Sequence, residues 1–392
     1  SDRNNIKLGF YANYYGTSNT NVVYDKKDNI AIENSVLSHV SSYTKTYYEP
    51  RAEYNKSLYT RSLYGRGYSN LTLSTTLAGR FLNDNNVSTL DYRNLKLNYI
   101  TFLPRVGLNY NMSKSNAYYA NYSLTYNYDQ EYPYLDRLRP IYDDINPAYR
   151  NYGSLNALKA TGIHALAVQG YYSQIRQYGY NISFNLAFRN YQRGLTDSVV
   201  YLDNQQQVYT AQMDKAMEVY TGSLVFSKPY LIGKNQTLNL NVNGNVNWGN
   251  KYQYLDSELQ EMYNNSQDIG INIYYTLVDK YQIGWKNNVN RYRRYNKLGN
   301  TLSNDYTSYA WNSGMSISYA LSKRWAFNTN GTLRYNKSGT YKDDVFIWNA
   351  NTTYRVLKGN NLEFKIAAYD LLRQNKGLYF YNGVTEFTTG YS

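Results

Sequence analysis

The sequence predicts an all-β chain: an antiparallel up-and-down transmembrane β-barrel, with roughly 14–18 strands present of a larger barrel of about 22. Three observations carry this prediction. Apolar and polar residues alternate along most of the 392 residues, charge is kept almost entirely to one parity, and tight turns alternate with longer polar connections.

The alternation is clearest from Thr237 to Asn247, T-L-N-L-N-V-N-G-N-V-N. Successive side chains of a strand point to opposite faces. Leu238, Leu240, Val242 and Val246 therefore share one face, and Asn239, Asn241, Asn243, Asn245 and Asn247 the other. The same division places Val106, Leu108, Tyr110 and Met112 opposite Arg105, Asn109 and Asn111. Ile182, Phe184, Leu186 and Phe188 stand opposite Ser183, Asn185 and Arg189, and Leu362, Phe364 and Ile366 opposite Glu363 and Lys365.

A soluble sandwich also alternates, so the second observation separates the two. The apolar faces run for about 9–11 residues, the length a tilted strand needs to cross a bilayer. Arg334 and Arg355 fall opposite the apolar sets Trp325, Phe327, Leu333, Tyr335 and Phe346, Trp348, Tyr354, Val356. A cation on a lipid-facing position near the midplane costs roughly 2–4 kcal/mol, which explains its exclusion from that parity. Asp370 shares the parity of Leu362 and Ile366 and is expected at the end of its strand or past a bulge.

The third observation is the order of the connections. Short turns are expected at Ser113–Asn116, Gln174–Tyr178, Lys228–Asn235, Val278–Lys280, Ser322–Arg324 and Leu357–Asn360. Long outer connections are expected at Asp129–Gly162, Tyr191–Met217, Gly249–Gln267 and Tyr292–Thr307, with a shorter one at Asn336–Asp344. The region before Thr101 reads as less regular, with strands at Ile6–Gly16 and Leu71–Leu82.

Composition fits a barrel. A hydrophobic content of 42% and a mean hydropathy of −0.68 resemble a soluble protein, but only every second strand residue of a barrel meets lipid. No run of 18 apolar residues is present, so a transmembrane helix is ruled out. The 51 tyrosines suit interfacial girdles as well as strands in general. Cysteine is absent, so disulfides and thiolate metal sites are excluded. The net charge of +13 favours anionic partners such as phosphorylated lipid headgroups, or is only the sum of lumen and loop cations. Lys and Arg are scattered rather than massed, which argues against nucleic acid.

No constellation points to catalysis, and no cofactor is implied. His39 and His164 have no nucleophile or metal partner at useful spacing, and His164 in G-I-H-A-L-A-V reads as a strand residue. Asp143-Asp144 and Asp343-Asp344 are carboxylate pairs suited to calcium or simply to solvent. Gly65 and Gly67 lack the third glycine of a phosphate loop. The substrate-binding candidates are Tyr134, Arg137, Arg139 and Tyr142 in the longest connection, where aromatic and cationic groups can grip a solute. Pro133, Pro140 and Pro147 offer the alternative that this segment is only a shaped loop.

From Phe102 the chain reads F-L-P-R-V-G-L-N-Y-N-M-S-K-S-N-A-Y-Y, then E-Y-P-Y-L-D-R-L-R-P-I-Y-D-D-I-N-P, then N-Y-G-S-L-N-A-L-K. Near the end stands A-A-Y-D-L-L-R-Q-N. In this order the motifs resemble the outer-membrane β-barrel family of the TonB-dependent receptors of Bacteroidota. Leu103-Pro104, Pro133, Leu138 and Pro140, Asn146-Pro147, and Asp370-Leu371-Leu372 with Gln374-Asn375 match. Ser154 and Arg373 stand where Asn is usual. The resemblance spans Phe102 to Lys376. It implies a receptor in the outer membrane of a Gram-negative bacterium, embedded in lipid and lipopolysaccharide, that imports a scarce glycan, peptide or siderophore. Energy coupling would come from a TonB-type complex acting through a plug domain. Against that pattern, residues 1–392 are expected to be a partial barrel, without plug and N-terminal domains and without the last strand. The alternative is a barrel that acts as a surface-binding protein or passive pore; an outer-membrane hydrolase is disfavoured by the lone histidines.

Overall fold

The computed structural model describes residues 4–27, 30–35, 37–63, 67–140, 149–154, 158–202, 205–298, 301–356, 362–374, 378–382 and 387–391. Fifteen strands of its 18-stranded main sheet form one antiparallel meander. They are β1 (Asn4–Asn21), β2 (His39–Leu63), β3 (Gly67–Ser88), β4 (Leu95–Lys114), β5 (Tyr118–Glu131), β6 (Thr161–Gln174), β7 (Asn181–Gln192) and β8 (Met217–Gly233). β9 (Gln236–Leu255), β10 (Glu258–Leu277), β11 (Tyr281–Leu298), β12 (Thr301–Ala320), β13 (Trp325–Ser338), β14 (Tyr341–Val356) and β15 (Leu362–Ala368) complete it. Each pairs with the next in chain order. Among the described residues no ladder joins β1 to β15.

The strands are long: β2 has 25 residues and β3 has 22, against about 5–6 for a typical strand. The region before Thr101 is thus as regular as the rest, contrary to the reading from sequence. One end of the sheet carries turns at 115–117, 234–235, 278–280 and 321–324. The turn expected at Leu357–Asn360 lies outside the described residues. The opposite end, which the sequence reading expects to be the outer one, carries the connections 132–160 and 193–216, the second of which holds a hairpin of Leu195–Leu202 and Gln205–Gln212.

Three expected long loops are instead strand. β9 and β10 stay paired to Leu255 and Glu258 and turn at Asp256-Ser257, both at positive φ. β11 and β12 remain paired to Leu298 and Thr301, and β13 and β14 meet at a turn of Gly339 and Thr340. Polar residues on both faces of these segments conceal the strand period without interrupting the backbone ladder. At the other end β8 likewise runs on to Gly233, leaving a turn of Lys234-Asn235.

The apolar face has no protein covering. Leu8 is 82% exposed, Ile100 79%, Ile366 74% and Met315 57%. The chain exposes 25,212 Å² in all, where a compact monomer of its mass would expose about 16,000 Å². On β11 and β12 the apolar stretch runs from the pair Tyr281/Tyr319 through Ile283/Ile317 and Trp285/Met315 to Val289/Trp311. Nine residues at about 3.3 Å each, tilted by about 45°, rise about 21 Å, near the apolar band of a transmembrane barrel.

Aromatic rings border this face at both ends. Phe188, Tyr220, Trp248, Tyr263 and Tyr295 form a continuous row on β7 to β11 near the outer end, with centroids 4.7, 5.0, 6.2 and 4.7 Å apart. Tyr118, Tyr172, Tyr180 and Phe226 form a second row near the turns, at 6.1, 5.3 and 6.2 Å. Polar side chains within the band are paired with indoles. Trp311 Nε1 donates to Asn287 Oδ1 at 2.6 Å, Trp325 to Thr352 Oγ1 at 2.7 Å and Trp348 to Thr329 Oγ1 at 2.8 Å. A hydrocarbon environment requires such internal satisfaction of polar groups.

The opposite face is a hydrogen-bonded polar wall. Asp268 accepts from Asn243 at 3.5 Å and from Asn288 at 2.8 Å, and Asn328 accepts from Ser318 at 2.6 Å and donates to Asn351 at 3.1 Å. Packed apolar burial gathers at the outer end, around Met213, Val199, Val208, Leu158 and Leu138. Asp370 lies beyond β15 at φ 47°, its backbone N–H donating to Asn349 Oδ1.

Candidate ligand site at the outer rim

At the outer end, the polar face and the 132–140 segment enclose a cavity of about 340 Å³. That is within the size range of small-molecule sites. Strand parity supplies its floor. Thr161 opens β6, Tyr191 stands one residue before the end of β7 opposite Met217 of β8, and Val219 lies opposite Gly249, two residues before Lys251. All of these positions fall opposite the parity of Leu186, Leu224 and Val246.

The segment after β5 supplies the upper wall. Glu131 ends the strand and Tyr132 follows. Thr101 Oγ1 donates to Gln130 Oε1 at 2.5 Å and lies 2.7 Å from the Tyr132 hydroxyl, whose ring packs 4.8 Å from that of Tyr99. Tyr132 is therefore held from two sides. Pro133 and Tyr134 lead into a single helical turn, Leu135–Leu138, closed by Arg137 N–H donating to the Tyr134 carbonyl at 3.0 Å. Tyr134 and Arg137 thus both line the cavity. The Arg137 guanidinium lies 3.9 Å from Asp197 in the outer hairpin, so it bridges floor and hairpin.

The remaining predicted residues differ. Arg139 is no part of the cavity wall: its Nη2 donates to the Asn94 carbonyl at 2.6 Å, fixing the segment to the short connection between β3 and β4. The helical turn has ended at Leu138, so Arg139 leaves on a different course from Arg137. Tyr142 and the pair Asp143-Asp144 lie outside the described residues. Asp343 and Asp344 are consecutive in β14 and project to opposite faces, so they do not form a joint carboxylate site. Among the described residues no group of three or more His, Cys, Asp and Glu is placed to hold a metal. His164 is a strand residue, with its Nδ1 2.9 Å from the Tyr126 hydroxyl.

Sequence reasoning missed Glu131, Tyr191, Met217 and Lys251. The signal that finds them is parity carried to the strand ends, because each continues the polar-face register of β5, β7, β8 or β9. With Tyr132, Tyr134 and Arg137 they place one acid, two cations and three tyrosine rings around an open cavity, a set suited to stacking on a ring while holding polar or charged substituents.

Gly153 locks the segment in place. At φ +66° it lies against Arg139, and a Cβ there would come within 2.6 Å of the Arg139 backbone carbon. Its N–H donates to Asn151 Oδ1 at 2.9 Å, and its carbonyl accepts from Thr210 N–H at 2.8 Å. Gly153→Ala is expected to cost about 1–3 kcal/mol locally and to separate the hairpin from the Arg137 turn. Limited proteolysis should then cut the 132–160 segment faster while the meander stays resistant.

Below the cavity, the polar face carries an ion-pair chain. The Glu49 carboxylate, almost fully buried, meets Arg51 at 2.6 Å and Arg80 at 2.9 Å, and Arg80 reaches Asp129 at 3.5 Å. Arg80 also lies over the Tyr47 ring at 5.5 Å. These contacts tie β2, β3 and β5 together directly beneath Tyr132.

No family model matches the chain, and no curated protein matches it. Among solved structures, OccK7 (OpdD) of Pseudomonas aeruginosa is similar over 93% of this chain and 92% of that chain, with 11% identity and a TM-score of 0.20. A likeness of that order is too small to bear on fold or activity.

Proposed function

We propose that the chain forms the wall of an outer-membrane barrel of a Gram-negative bacterium that captures a solute at its outer rim and imports it, as the barrel of a TonB-dependent receptor. One observation carries the membrane part: an exposed apolar face bordered by aromatic rows at both ends, backed by a hydrogen-bonded polar face. No arrangement in water favours leaving that much apolar surface open. The cavity lined by Tyr134 and Arg137 supports capture of a polar, ring-bearing solute such as a glycan, a peptide or a siderophore. Energy coupling rests on the resemblance of Phe102–Lys376 to the Bacteroidota receptors.

The second reading is a surface-binding or passive barrel. What favours it is that the rim cavity is built by this chain's own residues and needs no plug to complete it. Uptake of labelled oligosaccharides, peptides and ferric siderophores by cells carrying the complete gene separates the two. Active import predicts uptake of one class that stops when a protonophore collapses the inner-membrane gradient. Uptake that continues unchanged sinks the energised reading. Tyr134→Ala combined with Arg137→Ala should lower uptake at least about tenfold with normal barrel levels, the loss of about 1.4 kcal/mol of binding. Unchanged uptake would remove the rim cavity from the route.

A further inference from the structure

Below the rim, the polar face sets one carboxylate among amides and hydroxyls. Asp268 of β10 belongs to a row of directly paired residues, Gln169, Asn185, Ser223, Asn245, Asp268 and Asn290, that crosses β6 to β11. All but Asp268 are neutral. The carboxylate is held from both neighbouring strands: Asn243 of β9 donates to its Oδ1 at 3.5 Å and Asn288 of β11 to its Oδ2 at 2.8 Å. Both asparagines stand opposite Gly270, two residues further along β10. A Cβ at Gly270 would collide with the Asn243 amide, so the glycine makes room for this clamp. The acid is thereby fixed in orientation.

No cation answers it. Among the described residues Asp268 makes no ion pair. Lys286 and Arg294, polar-face cations of the adjoining β11, lie four residues to either side of Asn290 and are engaged elsewhere. Lys286 lies over the Tyr274 ring at 5.9 Å, and Arg294 Nη2 lies 3.5 Å from Met262 Sδ. On β9 the polar-face positions from Asn239 to Asn247 are all asparagine. Two amide donors orient a carboxylate without neutralising it, and both its oxygens keep a lone pair for a further donor.

Asp268 opens onto a cavity of about 250 Å³, with Ser266, Asn245, Asn247, Thr221 and Asn185 in its wall. The Asn185 side-chain oxygen is buried and has no hydrogen-bond partner among the described residues. Three strand spacings of about 4.8 Å put Asn185 about 14 Å along the row from Asp268. This cavity adjoins the one at the rim: Val219 lines the upper and Thr221 the lower, at consecutive polar-face positions of β8. On β9 only Gly249 stands between Lys251 and Asn247 at that parity, so no side chain divides the two cavities there.

We propose that the lower cavity is a second solute site, in which Asp268 takes a primary ammonium group. The site rests on the reading of this face as a solute route, and it gives the captured solute a positive end. The three donors of an ammonium suit Asp268 together with oxygens of its neighbours, Asn245 opposite and Ser266 two residues away. A calcium ion fits less well, because it takes about 6–8 oxygens, commonly from several carboxylates. No group of three or more His, Cys, Asp and Glu stands together among the described residues. Arg137 and Lys251 attract an anionic group at the rim and Asp268 repels one, so a zwitterionic solute lies with its positive end deeper.

The test titrates the complete protein with spermidine, a chain with ammonium groups at both ends, by calorimetry at low ionic strength. Heat-dependent mobility on gels reports a folded barrel in each variant. The wild type should bind spermidine at millimolar concentration or below, and its uncharged triacetyl derivative at least about tenfold more weakly. Asp268→Asn should weaken spermidine binding at least about tenfold. Asn245→Lys keeps the carboxylate but sets an ammonium opposite it, and should weaken binding as much. A wild type that does not bind spermidine, or that binds both compounds equally, overturns the site. So do folded variants that bind spermidine as the wild type does. Calcium that binds more tightly than spermidine, and only while Asp268 is present, replaces the ammonium assignment with a metal. Asp268-dependent spermidine binding alongside uptake that ignores a protonophore keeps the site and removes only the energised reading. Uptake that a protonophore stops, with spermidine binding indifferent to Asp268, removes the site alone.

Discussion

Replacing Met315 by arginine is expected to destabilise the sheet in a bilayer by about 2–4 kcal/mol. Met315 lies midway along the apolar stretch of β12, opposite Trp285 on one side and Gly331 on the other. It is 57% exposed, so no protein packing is lost. In water an exposed Met→Arg change shifts stability by less than about 0.5 kcal/mol. In hydrocarbon the same guanidinium has no partner within reach and must reach for the interface or draw water inward. Ser316→Arg, one residue on and facing the polar side, should be close to neutral. Denaturant unfolding of both variants in phospholipid vesicles measures the difference. Equal, small effects at the two positions would show that the face of Met315 does not meet lipid.

Glu49→Ala is expected to cost about 3 kcal/mol or more, the second large effect. Glu49 is 4% exposed and accepts from both Arg51 and Arg80, whereas Arg80 keeps only the longer contact to Asp129 once Glu49 is gone. A half-buried guanidinium is then left short of its counter-charge. Removing the whole pair should be milder, because desolvation of both ions is relieved together. Glu49→Leu combined with Arg80→Met should therefore recover much of the loss. If the double variant is as unstable as the sum of the singles, the network does not act as a unit. The Glu49→Ala variant should also bind solute less well at the rim, since Arg80 and Asp129 stand beneath Tyr132.

The band itself was legible in the sequence because an uncovered apolar face on one side and polar contacts on the other follow a period of two along the strands. Thr237–Asn247 shows this in eleven consecutive letters. The stretch that follows, W-G-N-K-Y-Q-Y-L-D-S-E-L-Q-E-M-Y-N-N-S-Q, reads as a loop although all but Asp256 and Ser257 of it is strand. Beyond the band both faces meet water, so polarity no longer reports which way a side chain points, while the ladder needs only backbone groups. The site was half legible for a related reason. Tyr134 and Arg137 stood out by residue type in a long connection. Lys251 and Tyr191 required knowing that their strands continue to the rim. Arg139 lies away from the cavity wall because its course depends on the end of a helical turn and on Gly153, neither of which its spacing from Arg137 encodes.

The order of the ladders bears on how the molecule is made. Every strand of the meander pairs with its immediate predecessor, so each new strand meets a finished neighbour as soon as it emerges, and only short rim segments such as Tyr149–Asn151, which pairs with Gln206–Val208, wait for a later partner. The connections 132–160 and 193–216 interrupt this growth little, because the entropy of closing a loop rises only as the logarithm of its length, about 0.6 kcal/mol per doubling. Assembly can therefore advance strand by strand from β1 towards β15, and the hairpin of residues 195–212 can settle onto the rim afterwards. A block placed late in the chain, in β13 for example, should trap a partly built sheet whose early strands already resist hydrogen exchange.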